Sequence, residues 1–251
     1  MLVIYFVGTA GSGKSTMVNS FYLWLQRNEK DVVTVNLDPG AEWLPYYPDV
    51  DVREWVSLSD VMSRYSLGPN GAQIMSADLM ALRVHEIKEA LEETDGEYVL
   101  VDTPGQLELF AFRESGRAMV RALEPDKSYI VFLFDPGVAK TPEGYASLLM
   151  LSASISYRFS LPTSSVLSKA DILTVEERER ILRWSTDSEE FLMDLERSPS
   201  GLSRELSIEI FRALENLGVY KHLVPVSSEE LYGFEDLYAE VQNFYKGGDE
   251  L

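Results

Sequence analysis

Gly8-Thr9-Ala10-Gly11-Ser12-Gly13-Lys14-Ser15 decides the fold. The octet follows a continuous apolar run, residues 2–7, and opens a helical pattern over 15–27 whose Val18, Phe21, Tyr22 and Leu25 share one face. The form G-x-x-x-x-G-K-[ST] between a strand and a helix is a phosphate-binding loop. Its glycines let backbone N–H groups curl around an anion, and the helix N-terminus adds its positive end. Lys14 is expected to reach the β- and γ-phosphates of a nucleotide, and the Ser15 hydroxyl to ligate Mg²⁺. The expected phosphate contacts are Gly11, Ser12, Gly13, Lys14, Ser15 and Thr16.

Working outward, runs at 32–37, 98–101, 129–134, 165–167 and 223–226 read as further strands. They are continuously apolar rather than alternating, as in a parallel sheet buried on both faces. Helical patterns lie between them, and Phe234, Leu237, Val241 and Phe244 mark a last helix. The expected fold is a doubly wound, mostly parallel α/β sheet of P-loop NTPase type. Its domain spans 1–251, with helical insertions at about 41–94 and about 175–220. The first insertion is expected to hold a helix over 49–66, a Gly68-Pro69-Asn70-Gly71 turn and a helix over 77–93. The second is charged and mostly helical, and is broken at Ser198-Pro199-Ser200-Gly201. Residues 247–251 are expected to be disordered.

Composition removes several classes. With 251 residues, 45% hydrophobic and 25% charged, the chain can build a globular core. A net charge of −19 repels phosphate backbones and anionic lipid, which argues against direct nucleic-acid or membrane binding. The absence of cysteine excludes disulfides, zinc–thiolate sites, iron–sulfur clusters and cysteine catalysis. His85 and His222, the two histidines, cannot make a histidine-rich metal site. No apolar stretch approaches a membrane span, and residues 2–7 lack the basic flank of a signal peptide, so the reading is cytoplasmic.

Four further motifs sit where strands are expected to end. Asp102-Thr103-Pro104-Gly105-Gln106 fits the second phosphate motif. There Asp102 would hold Mg²⁺ through water, the Gly105 N–H would face the γ-phosphate and Gln106 would orient water. Asp38-Pro39-Gly40 places a carboxylate on the same rim, near the Mg²⁺ shell or the attacking water. Asp135-Pro136-Gly137 reads mainly as a turn. Ser168-Lys169-Ala170-Asp171 is close to the guanine-reading N-K-x-D, with serine in the first place. The two oxygens of Asp171 can accept the N1–H and N2–H₂ of guanine, a pair adenine lacks, and the Lys169 stem would lie along the purine. Val226-Ser227-Ser228 would offer backbone N–H groups to the base. Trp24, Trp43, Trp55 and Trp184 read as packing residues, His85 as a surface or core residue, and Met62, Met75 and Met80 as insertion core or dimer surface.

In their order, the P-loop, Asp38-Pro39, Gly68-Pro69-Asn70, Asp102–Gln106 and Lys169-Ala170-Asp171 resemble the GPN-loop GTPase family, from residue 1 to about 230. The resemblance implies the GTPase branch related to signal-recognition-particle and MinD-type proteins, which dimerise across their nucleotide sites. It implies a Mg²⁺-dependent GTP/GDP switch that works as a homodimer, with Asn70 reaching the partner's γ-phosphate. Asp38, Gln106 and Glu108 would surround the attacking water. Thr9 stands where MinD-type loops carry an activating lysine. Relatives of this kind assist the assembly of RNA polymerase, which implies a client protein. Two other readings compete. A P-loop ATPase or nucleotide or polynucleotide kinase leaves Lys169 and Asp171 without a role, and a non-catalytic nucleotide-dependent scaffold leaves Gln106 without one.

Overall fold

Residues 2–7 carry a single polar side-chain atom, the Tyr5 hydroxyl, and β1 (Leu2–Gly8) is buried along its whole length. The structure is a computed structural model that describes every residue except Glu124, Val219, Lys221 and 248–251. The expected disorder at 247–251 therefore lies, beyond Gly247, outside the described residues.

The chain forms two compact units, Met1–Val131 and Phe132–Leu251. In the first, β1 leads through the octet into α1 (Lys14–Arg27), then β2 (Val32–Asn36) and a short β3 (Val50–Asp51). Three helices follow, α2 (Leu58–Tyr65), α3 (Pro69–Ala81) and α4 (Val84–Glu92), then β4 (Tyr98–Asp102), α5 (Leu107–Ala111) and α6 (Glu114–Ala122). β5 (Ser128–Phe134) carries the chain from one unit into the other. The second unit contains α7 (Pro136–Ala139), α8 (Pro142–Phe159), β6 (Thr163–Leu167), α9 (Val175–Thr186), α10 (Ser188–Arg197), α11 (Leu202–Asn216), β7 (Leu223–Pro225) and α12 (Phe234–Gly247).

The strand order is β3-β2-β4-β1-β5-β6-β7, and β1–β4, β2–β4, β2–β3 and β6–β7 pair in parallel. The expected α/β sheet is present, with one strand more than the sequence indicated. Register fixes the functional rim. Phe6 and Asn36 both stand opposite Asp102, so Gly8, Asp38 and Asp102 leave the sheet at the same edge.

The first insertion differs from expectation in three places. Residues 49–66 are not one helix. Asp49 Oδ2 accepts the N–H and the hydroxyl of Thr34 at 2.8 and 3.0 Å, drawing the chain alongside β2. Val50 and Val52 are buried at a period of two, a strand pattern, and α2 begins only after Ser57, whose hydroxyl caps it by accepting Asp60 N–H at 3.2 Å. Residues 77–93 are two helices, α3 and α4, divided at Leu82-Arg83. Gly68-Pro69-Asn70-Gly71 is a helix start and not a turn, with Gly68 at the N-cap and Pro69 in the first helical position. Proline fits there because its missing N–H would have had no partner and its φ is already helical. Asp135-Pro136-Gly137 repeats the correction: Asp135 caps α7, accepting Gly137 N–H at 2.9 Å.

In the second unit, Phe134, Tyr145, Phe191, Phe211 and Tyr220 form a run of ring contacts at 4.7 to 5.6 Å between centroids. Trp184 joins it, fully buried, and its indole N–H donates to Asp194 Oδ2 at 2.9 Å. The charged insertion is thereby welded to β5 and α8 by an aromatic core. Trp184 is the packing residue expected and Trp24 stacks on Phe21, but Trp43 is 76% exposed and packs on little. Met80 is insertion core and His85 a surface residue. Among the described residues, no helix is long and apolar enough to cross a membrane.

Candidate functional site

The octet needs two left-handed residues to turn its amides inward, and Gly11 and Gly13 supply them, with φ of 77° and 90°. Gly13 caps α1, so the loop ends on the positive pole of a fourteen-residue helix. Lys14 is 6% exposed, and its ammonium donates to Gly8 O and Thr9 O at 3.0 Å each and to Gly105 O at 3.3 Å. Burial holds the ammonium pKa below its ordinary value, while the carboxylates of Asp102 and Asp38 counter that effect. The Ser12 hydroxyl is buried without a protein partner.

Asp102 ends β4 at 1% exposure. Burial pushes its carboxyl up to about 6, against hydrogen bonds from Ser15 and Tyr46 and the nearby Lys14 charge, which pull it down. Tyr46 donates its hydroxyl to Asp102 Oδ2 at 3.1 Å, and Asp102 Oδ1 has no protein partner. Thr103 anchors the following turn by donating to Phe6 O at 2.7 Å.

Asp38 uses both carboxylate oxygens on backbone amides. Oδ1 accepts Gly40 N–H at 2.8 Å and Oδ2 accepts Gly105 N–H at 3.0 Å. Its own N–H donates to Asn36 Oδ1 at 2.9 Å, and Asn36 Nδ2 donates to Asp51 Oδ1 at 2.9 Å. Asp51 pairs with Arg53, whose guanidinium also donates to Ala41 O at 2.7 Å. Burial raises the Asp51 carboxyl pKa, but the Arg53 hydrogen bonds outweigh it and hold the group below its ordinary value.

The donor set fits Mg²⁺. A buried carboxylate with one unpartnered oxygen and a hydroxyl bonded to that carboxylate are the hard oxygen ligands the ion prefers while it keeps several waters. Ser15 and Asp102 would hold it. Asp38 would join the shell only on leaving one of its amides.

A cleft of about 150 Å³ opens beside this rim. Ala10, Asp38–Gly40, Pro104–Gln106 and Leu109 line it, and Gln73, Ala77 and Met80 of α3 close its far wall. The helix that begins with Pro69 and Asn70 thus faces the phosphate loops from across the cleft. Arg113 holds it there by a two-pronged pair with Asp78, at 2.7 and 2.8 Å. Gln106 is exposed at the N-cap of α5 and lines the cleft, whereas Glu108, in the first turn, is exposed and does not. Asn70 is also exposed outside the lining.

In the second unit, Ser168 takes the first place of the base motif and spends its hydroxyl on Phe134 O at 3.1 Å. Lys169 is left-handed, φ 49°, and its ammonium lies 3.5 Å from Asp135 Oδ2. Asp171 Oδ1 accepts the Ser227 hydroxyl at 2.6 Å. Val226 N–H donates to Leu167 O at 2.9 Å and Ser227 N–H to Tyr232 O at 3.1 Å, so both amides are engaged within the protein. The Ser227 side chain is what reaches the motif. Sequence reasoning missed Tyr46, Asn36, Asp51 and Arg53, and it read Asp135 mainly as a turn residue without its Lys169 partner; these partners lie 2 to 56 positions away.

Residues 6–247 match a family described as a conserved hypothetical ATP-binding protein. GPN-loop GTPase PAB0955 of Pyrococcus abyssi is 34% identical over 238 residues, 94% of each chain. GPN-loop GTPase 1 of Schizosaccharomyces pombe is 31% identical over 241 residues, 92% of this chain and 64% of its own length. A solved structure described as PAB0955, a GTPase in apo form from Pyrococcus abyssi, matches with a TM-score of 0.88 at 33% identity over 97% of both chains. The chain thus spans nearly all of the Pyrococcus abyssi relative but 54% to 64% of relatives from Dictyostelium discoideum and Schizosaccharomyces pombe.

Proposed function

The chain belongs to the GPN-loop GTPase family, and from that premise we propose that it binds Mg²⁺·GTP and hydrolyses it to GDP and phosphate as a homodimeric switch. The observation that carries this reading is the buried Asp102, bonded to Ser15 and Tyr46, with one oxygen left for the shell of a cation beside the Lys14 loop. When bound, Mg²⁺ supplies charge neutralisation at the phosphate oxygens. Lys14 exchanges loop carbonyls for the β- and γ-phosphates, and the P-loop amides stabilise charge where it develops. Gln106, at the cleft, orients the attacking water, with Asp38 beside it and Glu108 one turn along as a further candidate. Lys169 and Asp171 read guanine, and the carboxylate held by Ser227 favours GTP although the family description names ATP.

Asn70, exposed on the first turn of α3, serves a partner copy and touches that copy's γ-phosphate. Hydrolysis would then be felt at the dimer contact and alter the affinity for a client protein, by resemblance an RNA polymerase under assembly in the cytoplasm. The test is GTP turnover across a range of protein concentrations with Mg²⁺. A specific rate that rises with concentration supports the dimeric enzyme. A rate per chain that ignores concentration, or no phosphate release, rejects it.

A further inference from the structure

Five residues in the first insertion read Leu44-Pro45-Tyr46-Tyr47-Pro48. The two tyrosines take opposite positions: Tyr46 is 7% exposed and Tyr47 99% exposed. Two prolines restrict the unfolded loop, so less entropy is lost when it settles. Both ends of the segment are tied. Upstream, Ala41 O accepts from Arg53 at 2.7 Å. Downstream, Tyr47 O accepts from the Thr34 hydroxyl at 3.3 Å, and the Asp49 carboxylate accepts the Thr34 N–H at 2.8 Å. Between these ties one polar group points inward, the Tyr46 hydroxyl, and it donates to Asp102 Oδ2 at 3.1 Å.

We propose that Tyr46 is a positioning residue for the divalent cation of the nucleotide site. This inference rests on the reading of Ser15 and Asp102 as the Mg²⁺ residues. A carboxylate can turn about its last bond, and by engaging Oδ2 the phenol leaves Oδ1, buried and unpartnered, as the oxygen offered to the cation's water shell. The identity of the donor matters. A lysine or arginine in this place would neutralise Asp102 and compete with the cation, whereas a phenol orients the carboxylate and leaves its charge in place. The tether explains why the loop is tied at both ends: the hydroxyl is held in place before any cation arrives.

The test needs no turnover. Binding of a fluorescent GDP is measured from EDTA through rising Mg²⁺ for the wild type, Tyr46→Phe and, as a control, the exposed Tyr47→Phe. The inference predicts a Mg²⁺ midpoint about 10-fold higher for Tyr46→Phe, with EDTA affinity unchanged and Tyr47→Phe like the wild type. A folded Tyr46→Phe with the wild-type midpoint overturns it while leaving the Mg²⁺ site intact. A wild type whose GDP affinity ignores Mg²⁺ overturns both this role and the metal reading beneath it. Should Tyr46→Phe not fold, 3-fluorotyrosine at position 46 keeps the hydroxyl. Its ¹⁹F resonance moves when Mg²⁺ is added to the GDP-bound protein, and a resonance that stays in place overturns the assignment.

Discussion

Gly105 N–H donates to Asp38 Oδ2 at 3.0 Å, so a carboxylate occupies the amide proposed to face the γ-phosphate of GTP. Lys14 bonds the carbonyl of the same glycine. On the proposed reading, GDP would leave the Asp38 contact in place, whereas GTP would have to replace it. Asp38 is wired to the insertion, since Pro39 O accepts Leu58 N–H at 2.9 Å ahead of α2. On that reading the third phosphate would meet a group linked to the start of α2, the helix that precedes the GPN triplet.

Removing that carboxylate should favour GTP. Asp38→Ala is expected to raise the ratio of GTP to GDP affinity about 10-fold, the scale of a hydrogen bond to a charged group, while turnover falls. Titration calorimetry with GDP and a non-hydrolysable GTP analogue measures it. An unchanged ratio would mean Asp38 does not stand in the way.

Asp102 makes a prediction about stability. Its carboxyl sits at about 6 in the native protein against an ordinary 3.8, chiefly because it is buried. The native state holds a proton that the unfolded state releases, so without metal stability falls as pH rises through that window and the full cost remains above it. Asp102→Asn removes the cost. In EDTA at neutral pH the variant should be more stable than the wild type, with about 3 kcal/mol as the upper bound, and the advantage should vanish as pH drops toward the ordinary value. Denaturant melts at several pH values decide it, and a variant that is less stable at neutral pH contradicts it.

Much of this site was legible because its signals are local. The octet states its own turn and helix start, and the strand-end aspartates follow short apolar runs. The stretch resembling a base motif follows β6 as expected, and the fold ties its serine to Phe134 O and its aspartate to Ser227. What escaped were contacts made by the fold. Tyr46 meets Asp102 across 56 positions, and Asp49 and Asp51 turn a stretch that looked helical into a strand by pairing with Thr34 and Asn36. The GPN triplet was misread as a turn for a different reason. Pro-Asn-Gly suits both a turn and a helix start, and only the buried Ala72, Ser76, Ala77 and Met80 downstream distinguish them.

The proposed trans role of Asn70 has a direct test in mixed variants. Asn70→Ala keeps its own P-loop, and Lys14→Ala keeps its own Asn70. Each alone should lose turnover by about 100-fold, the scale of losing one transition-state donor. Mixing the two should restore part of it, because in the proposed dimer a mixed pair would join an intact P-loop to an intact asparagine. A mixture no more active than its components would place Asn70 outside the partner's site.

The measurement that bears most directly on the account is calorimetric titration of the protein with Mg²⁺·GTP and Mg²⁺·ATP, with Asp171→Asn alongside. The account predicts that GTP binds far more tightly and that Asp171→Asn abolishes the preference, since one oxygen can no longer accept from the guanine edge. Equal affinity for ATP, or a preference that survives Asp171→Asn, would contradict it and return the chain to the ATPase or kinase reading.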